Sequence, residues 1–293
     1  MRKKEFALAR SPRILLVAAT VVTLTGCMSA EVERYPTSAD YPAGTMERVS
    51  VQAAGHPWKL STLGTPRAAP WKVVVITGTP SWSEFWAPVL AALPEQFTMV
   101  VADRPGFALS EPREVVGSIA DQAEALSALL DAAPGQKVIL VGQSYGAPIA
   151  TLMAQRYPDK VQALVLMSPF FGERGQTARR LTGLGGVVWP MLPRDLKNSI
   201  AEVKGQPPQL PAARAALTAL PIPVVVLHGD ADTYVPISSA RALEASRGAA
   251  PTAMVVAPAG DHFLNACCVP ALIGALARAV AMSEAAASPP RGG

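Results

Sequence analysis

The chain has 293 residues, half of them apolar, which is enough to bury the core of one large domain. Its formal net charge is +4, and the first 26 residues account for all of that excess. The remainder is near neutral and has no basic stripe interleaved with aromatic residues, which argues against a nucleic-acid-binding protein.

The first 26 residues have the pattern of a secretory signal peptide. A basic start precedes the apolar run Ile14–Thr25, whose 12 residues are fewer than the roughly 20 needed to cross a bilayer. The following Leu-Thr-Gly-Cys27 resembles the lipobox of bacterial lipoproteins, whose cysteine is acylated and becomes the first mature residue. The resemblance implies lipidation of Cys27, and Met28 after it favours the outer membrane, facing the periplasm, over the inner membrane. An ordinary cleaved signal peptide and a buried helix are the alternatives.

Residues 27–45 are polar, contain proline and follow no period, so we predict a tether. The segments 48–52 and 58–62 then predict an antiparallel pair of strands. After them, apolar runs alternate with helical patterns in which apolar residues recur every three or four positions. The predicted strands are Lys72–Thr77, Thr98–Asp103, Lys137–Gly142, Ala163–Met167, Pro223–His228 and Ala253–Ala257. The predicted helices are Ser83–Leu93, Ala120–Ala133, Tyr145–Arg156, Ser238–Ala245 and Phe263–Met282.

This alternation predicts an α/β fold, with a mostly parallel sheet covered by helices on both faces. The core is expected to span residues 46–171 and 221–285. Between its two parts, residues 172–220 contain no good strand, and a structureless loop of that length is unusual in a compact domain. We therefore predict a small helical cap at 172–220, and a disordered tail at 286–293.

A serine lies between two glycines at the end of a predicted strand, in Gly142-Gln-Ser144-Tyr-Gly146. A helix is predicted to follow directly, which is the context that a nucleophile elbow requires. The turn is cramped, and glycine two residues away on each side gives it room. We predict that Ser144 is a nucleophile.

A serine hydroxyl needs a base to take its proton. The chain has three histidines, and His262 follows the last predicted strand, where a loop can bring it over the serine. His56 precedes a proline in the early strand pair, and His228 ends a strand as a loop or core residue. We predict that His262 is the base.

The base in turn needs a carboxylate that holds its tautomer and stabilises its charged form. Asp232 follows a predicted strand by a short turn and is the predicted acid. Asp230 is the alternative, although it is closer to the strand and better placed to accept hydrogen bonds from turn amides.

The order Ser144, Asp232, His262 resembles that of the α/β-hydrolase superfamily, and the likeness covers about residues 46–282. The segment 74–82 is similar to the family's oxyanion loop, and Asp103-Arg-Pro-Gly-Phe-Ala-Leu-Ser110 is similar to its D-x-P-G-x-G-x-S turn. The resemblance implies the α/β-hydrolase fold, and an oxyanion hole formed by the backbone N–H groups of Thr79 and Tyr145. The chain departs from the family pattern at three positions, which are Thr77, Ala108 and Gln143.

Aromatic and sulfur-containing side chains near these motifs are candidates for an apolar pocket that binds the acyl group, although core packing explains each of them as well. They are Trp82, Phe170, Phe171, Trp189 and Met191. Cys267 and Cys268 are adjacent, so their Cα atoms lie about 3.8 Å apart, below the usual disulfide range. We expect two free thiols packed in a C-terminal helix, with a strained vicinal bridge as the alternative.

These residues predict a serine hydrolase that cleaves a small-molecule carboxylic ester through an acyl-enzyme intermediate, without a metal or another cofactor. A cofactor-free haloperoxidase, an acyltransferase or a carbon–carbon bond hydrolase can use the same three side chains. A non-catalytic envelope lipoprotein is a further alternative. Some members of the family carry aspartate at the elbow for dehalogenation, and Ser144 argues against that chemistry.

Overall fold

The computed structural model of the chain describes residues 36–185 and 191–287, and the side chains of 181–185 are not described. Cys27, Trp189, the signal peptide and most of the predicted tether lie outside the described residues. One compact unit begins at Thr37.

Eight strands form one sheet. They are β1 (Glu47–Gln52), β2 (Lys59–Gly64), β3 (Trp71–Ile76), β4 (Phe97–Ala102), β5 (Lys137–Gln143), β6 (Val161–Met167), β7 (Val224–Gly229) and β8 (Thr252–Ala257). Their order across the sheet is β1-β2-β4-β3-β5-β6-β7-β8. The pairs β1–β2 and β2–β4 are antiparallel, and all other neighbours are parallel. The predicted opening pair and mostly parallel sheet are confirmed.

Nine α-helices lie in the described part of the chain. They are α1 (Ala87–Ala92), α2 (Ile119–Leu126), α3 (Gly146–Arg156), α4 (Gln176–Gly185), α5 (Arg194–Gly205), α6 (Leu210–Ala219), α7 (Ile237–Ser246), α8 (Leu264–Cys267) and α9 (Val269–Ala287). Short 3₁₀ helices cover Ser38–Asp40, Ser83–Trp86, Ser127–Leu130 and Pro207–Gln209.

The core has two layers because the central strands are buried on both faces. On β3, Val74 and Ile76 face the layer formed with α2, α3 and α6, whereas Val73 and Val75 face the layer that contains α1 and α9. Helix α9 is long and apolar enough to span a membrane by length and composition, but its buried residues, among them Leu276, pack in the second layer.

The segment between β6 and β7 differs from the predicted cap. It contains α4 and α5, but its last helix, α6, buries Leu210, Ala213 and Leu217 in the core layer beside α3. Parallel neighbours such as β6 and β7 need a crossover connection that packs on the sheet, and α6 supplies it. Residues 210–219 therefore belong to the core layer.

The predicted C-terminal helix is in fact two helices. Helix α8 ends at Cys267, and α9 begins at Val269 with Pro270 in its first turn. Proline has no N–H to continue the preceding helix but suits the first turn of a new one. Helix α9 then continues to Ala287, so the predicted tail at 286–293 is wrong for its first two residues. The rest of the tail lies outside the described residues.

Candidate active site

The sequence-predicted nucleophile lies at the carboxyl end of the central strand β5. Ser144 has φ +48°, a left-handed conformation, and α3 begins two residues later. The flanking glycines have close neighbours. A Cβ at residue 146 would lie 2.2 Å from the carbonyl oxygen of Ile76, and one at residue 142 would lie 2.7 Å from the Cα of Ala147. Glycine at both positions is therefore required by close packing of the turn against β3 and α3.

The structure brings Ser144, His262 and Asp232 together. His262 contacts both other residues. Its Nε2 lies 3.0 Å from the Oγ of Ser144, and its Nδ1 lies 2.7 Å from the Oδ2 of Asp232. The three residues come from loops after β5, β8 and β7, at the carboxyl edge of the sheet, where open α/β sheets hold their ligands. Since a carboxylate only accepts hydrogen bonds, Nδ1 carries the ring proton, and Nε2 is free to accept the serine proton.

The side chain of Asp232 is fully buried and accepts several hydrogen bonds. Its Oδ1 accepts the backbone N–H groups of Tyr234 and Val235, at 2.8 and 2.9 Å. Burial alone would raise the pKa of its carboxyl, but the hydrogen bond and charge of His262, together with the Val235 amide and His228, hold the pKa below its usual value. Asp232 therefore stays ionised and can stabilise an imidazolium.

The residues considered as alternatives to Asp232 and His262 make other contacts. The Oδ1 of Asp230 accepts the backbone N–H of Ala259 at 2.7 Å, the turn contact expected of it. His56 stacks on Trp58 with ring centroids 3.9 Å apart. His228 is fully buried, and its Nε2 lies 3.0 Å from the carbonyl of Val235.

Two backbone amides beside Ser144 are candidates for an oxyanion hole. Neither the N–H of Thr79 nor that of Tyr145 donates a hydrogen bond within the described residues. Tyr145 directly precedes α3, where the helix dipole favours negative charge. The loop that carries Thr79 lies against the elbow. A Cβ added to Gly78 would be only 3.1 Å from the Cβ of Ser144.

Several neighbours of the site were not foreseen from the sequence. The ring of Tyr234 stacks on the imidazole of His262 at 5.1 Å, and Phe263 meets that imidazole edge-on at 5.5 Å. Gln143 joins two parts of the site, since its Oε1 accepts the Gly78 amide at 3.3 Å and its Nε2 donates to Asn265 at 3.1 Å. The departure of residue 143 from the family pattern was the available signal for this link.

The described residues of the predicted apolar pocket lie in different surroundings. Phe170 and Phe171 are buried in the core layer of α3, and Trp82 is half-buried against Phe85. Met191 is 72 % exposed, contrary to the expectation that it lines a pocket. An open cavity of about 470 Å³ adjoins the loop of Asp232. Most of the residues that line it are polar or charged, and they include Glu173, Arg174, Gln176, Arg179 and Thr233.

The two C-terminal cysteines are free thiols. Cys267 is exposed at the end of α8, and Cys268 lies between the two helices, so they are not packed together within one helix as expected. Partial burial of the sulfur and the adjacent Cys268 thiol raise the pKa of Cys267 to about 12, which makes it a poor nucleophile. Within residues 36–185 and 191–287, no group of three or more His, Cys, Asp or Glu side chains could hold a metal ion.

The comparisons with known proteins agree with this architecture. Residues 72–180 match the family model described as the alpha/beta hydrolase fold. A protein of Pantoea ananatis that is named as the carbamate hydrolase RutD is 33% identical over 118 residues. These residues cover 40% of this chain and 43% of that protein. The chain thus spans less than half the length of this relative. The 2-(acetamidomethylene)succinate hydrolase of Mesorhizobium japonicum is 25% identical over 224 residues, covering 64% of this chain and 80% of the relative.

Among solved structures, a thermophilic esterase from Thermogutta terrifontis aligns with a TM-score of 0.64 and 20% identity. The alignment covers 81% of this chain and 99% of the esterase, which at that identity is a likeness of fold. The sheet order, the elbow and the family model agree with one another. The chain therefore has the α/β-hydrolase fold.

Proposed function

We propose that this protein is a serine hydrolase that cleaves a carboxylic ester of a small molecule. The observation that carries the proposal is the continuous row from Asp232 through His262 to Ser144, with contacts of 2.7 and 3.0 Å. Ser144 is 8 % and His262 6 % exposed, and the side chain of Asp232 is fully buried. Electrostatic contacts are stronger in such a site than in water.

The reaction follows from these contacts. His262 takes the proton of Ser144 through Nε2 while Oγ attacks the ester carbonyl, and Asp232 stabilises the imidazolium. The N–H groups of Thr79 and Tyr145 bind the oxyanion of the tetrahedral intermediate. Collapse of that intermediate breaks the ester C–O bond, and the alcohol leaves with the proton from Nε2. A water molecule activated by the same nitrogen then releases the acid from Ser144.

Turnover of p-nitrophenyl esters of increasing acyl length tests the proposal on the purified protein. The Ser144→Ala variant is expected to lose at least about 10⁴-fold in kcat, because serine and histidine act as one unit. Ser168→Ala is a matched control: Ser168 is also buried and left-handed, with φ +45°, but follows β6 and has no side-chain hydrogen bond within the described residues. Turnover at the wild-type rate in Ser144→Ala would overturn the proposal.

We also propose that the mature protein is anchored by lipid at Cys27, in the outer membrane of a bacterial envelope and facing the periplasm. The support is the sequence alone: a basic start, a short apolar run and a cysteine at the expected cleavage point. Each buried CH₂ of an acyl chain contributes about 0.8 kcal/mol to anchoring.

A further inference from the structure

The turn at residues 103–110 contains a fully buried arginine that the proposed reaction does not use. The guanidinium of Arg104 donates from Nε to the carbonyl oxygen of Thr77 and from Nη2 to that of Gly78, both at 2.8 Å. These are the two successive carbonyls that precede Thr79 in the oxyanion loop. One side chain therefore holds both peptide planes on which the direction of the Thr79 amide depends.

The hydrogen bond from Arg104 to the Gly78 carbonyl also fixes the direction of the Thr79 N–H, because both groups belong to one planar peptide. The C=O and N–H of one peptide point in opposite directions because the group is planar. The Gly78 carbonyl and the Thr79 N–H belong to the same peptide, so the bond to Arg104 turns that N–H away from the guanidinium. Gly78 also lies against Ser144, and its own N–H donates to Gln143.

Arg104 is itself held by a helix of the segment between β6 and β7. Glu202 of α5 is fully buried and accepts from Nη1 at 2.7 Å and from Nη2 at 3.0 Å. Gln122 donates to the same carboxylate at 2.7 Å and accepts from Nη1 at 2.6 Å. A buried, bidentate and fully hydrogen-bonded pair fixes the guanidinium plane, which a lysine could not reproduce.

Helix α5 is also attached to the same turn by neighbouring contacts. The Nδ2 of Asn198 donates to the carbonyl of Gly106 at 2.6 Å, and Asp195 accepts the Ala108 amide at 3.2 Å. The position of α5 and the orientation of the oxyanion loop are therefore connected through one turn and one ion pair.

We propose that Arg104 is a positioning residue that aims the Thr79 N–H at the developing oxyanion, and that Glu202 makes this aim depend on the position of α5. The inference rests on the proposed serine-hydrolase function. Arg104 does not touch the reacting atoms in this account. It acts through the backbone of residues 77–79.

The test compares Arg104→Lys with Arg247→Lys. Arg247 is a matched control, since it is also buried and donates to backbone carbonyls, those of Leu217, Leu220 and Ile222, which lie outside the oxyanion loop. Lysine keeps the charge opposite Glu202 but cannot bind two carbonyls and a carboxylate at once. The readouts are kcat, KM and the inhibition constant of a trifluoromethyl ketone, whose serine adduct carries a tetrahedral oxyanion.

Arg104→Lys is expected to lower kcat by about 10- to 100-fold, somewhat less than complete loss of one oxyanion donor. KM should change little, and ketone affinity should fall in proportion to kcat/KM. An inhibition constant does not depend on the fraction of folded protein, so lost folding alone would leave it unchanged. Arg247→Lys should retain the wild-type inhibition constant and, per active site titrated with a fluorophosphonate, the wild-type kcat.

A second variant keeps the proposal testable if Arg104→Lys does not fold. Glu202→Gln keeps the size of the side chain and removes the charge that holds the guanidinium, so it should weaken ketone binding in the same direction. Wild-type ketone affinity in whichever of these variants folds would overturn the inference while leaving the hydrolase proposal intact. A wild-type protein that neither turns over esters nor reacts with the fluorophosphonate would overturn both.

Discussion

At the scale of single residues, the surroundings of Ser144, His262 and Asp232 support the roles that we propose for them. Asp232 faces both the His262 Nδ1 and two backbone amides, so its carboxylate is fixed before any substrate arrives. The aromatic rings of Tyr234 and Phe263 limit rotation of the imidazole. Preorganised partners of this kind avoid the cost of reorganisation during the reaction.

If Asp232 is the acid of the triad, replacing it should lower kcat far more than replacing Asp230. Asp232→Asn should lower kcat by about 10³- to 10⁴-fold, because an amide no longer enforces the Nδ1–H tautomer or balances the imidazolium charge. Asp230→Asn should change kcat by less than about threefold, since its contact is to the Ala259 amide. Steady-state kinetics on a p-nitrophenyl ester measures both. The reverse order of effects would assign the role to Asp230.

The buried imidazole of His228 is expected to lower the free energy of unfolding at acidic pH. Burial lowers the pKa of its imidazole, outweighing Asp232 and the Val235 carbonyl, which both raise it. The unfolded chain takes up this proton near pH 6.5, whereas the folded protein does so only at lower pH. The stabilisation is therefore complete above about pH 6.5 and is lost as the pH falls towards the folded pKa, by at most about 1.4 kcal/mol per pH unit.

Urea unfolding at about pH 7.5 and pH 5.5 measures this component. His228→Asn keeps a donor for the Val235 carbonyl but does not titrate, so it should lose less free energy of unfolding between the two pH values than the wild type. Equal losses in the two proteins would show that His228 does not contribute. The depressed pKa of Asp232 acts in a separate window, since its stabilisation is lost only as the pH falls below about 3.9.

At the scale of elements, the tight packing of the elbow predicts a large cost for a single methyl group. Gly146→Ala would place its Cβ 2.2 Å from the backbone oxygen of Ile76, at the end of β3, and 2.6 Å from that of Thr77 directly after it, and neither can move without disturbing the sheet. We expect a loss of more than about 3 kcal/mol in the free energy of unfolding, above the usual range for a point variant.

Gly274→Ala in α9 is the matched control, because the added Cβ would have no atom within 4 Å apart from its chain neighbours and the backbone of its own helix. This substitution should be neutral or should stabilise the protein by about 0.5–1 kcal/mol, through the higher helix propensity of alanine. Denaturant unfolding of the two variants checks both expectations. Similar stabilities for the two would contradict the account of the elbow.

The elements that could be predicted from sequence are those whose pattern is local. Strands such as β5 and β7 are continuous apolar runs because both of their faces are buried, and all eight strands were placed to within a few residues. The cramped turn at Ser144 could be anticipated from the glycines two residues away on each side. Helix α6 was misplaced, because its alanine-rich sequence does not reveal that it packs on α3 rather than over the site.

Contacts between distant segments were the part that the sequence could not provide. The pairing of Arg104 with Glu202 joins residues 98 positions apart, and neither residue type specifies its partner. The same holds for Gln143 and Asn265, which are 122 positions apart. A motif predicted Ser144, and positions directly after predicted strands predicted His262 and Asp232, whereas these supporting contacts depend on how α5 and α8 dock.

At the scale of the whole molecule, the net positive charge and the candidate active site lie in different parts of the chain. The positive excess is confined to the first 26 residues, and the site is built from residues of the body that follows. This division is what a targeting segment attached to a folded domain predicts.

The proposed anchor predicts incorporation of fatty acid at one cysteine. In a bacterial host fed an alkyne-labelled fatty acid, the full chain should become labelled and partition with the detergent phase. Cys27→Ser should not be labelled, while Cys267→Ser should match the wild type because its thiol plays no part in anchoring. Equal labelling of all three proteins would rule out lipidation at Cys27.

The most direct test of the central claim is to locate the site of covalent modification. The protein is incubated with a fluorophosphonate, digested, and its peptides are sequenced by tandem mass spectrometry, in parallel with Ser144→Ala and His262→Gln. The account predicts one modified residue, Ser144, with no labelling of the alanine variant and labelling slowed by at least about 100-fold in the glutamine variant. Labelling of a different residue, or undiminished labelling without His262, would contradict it.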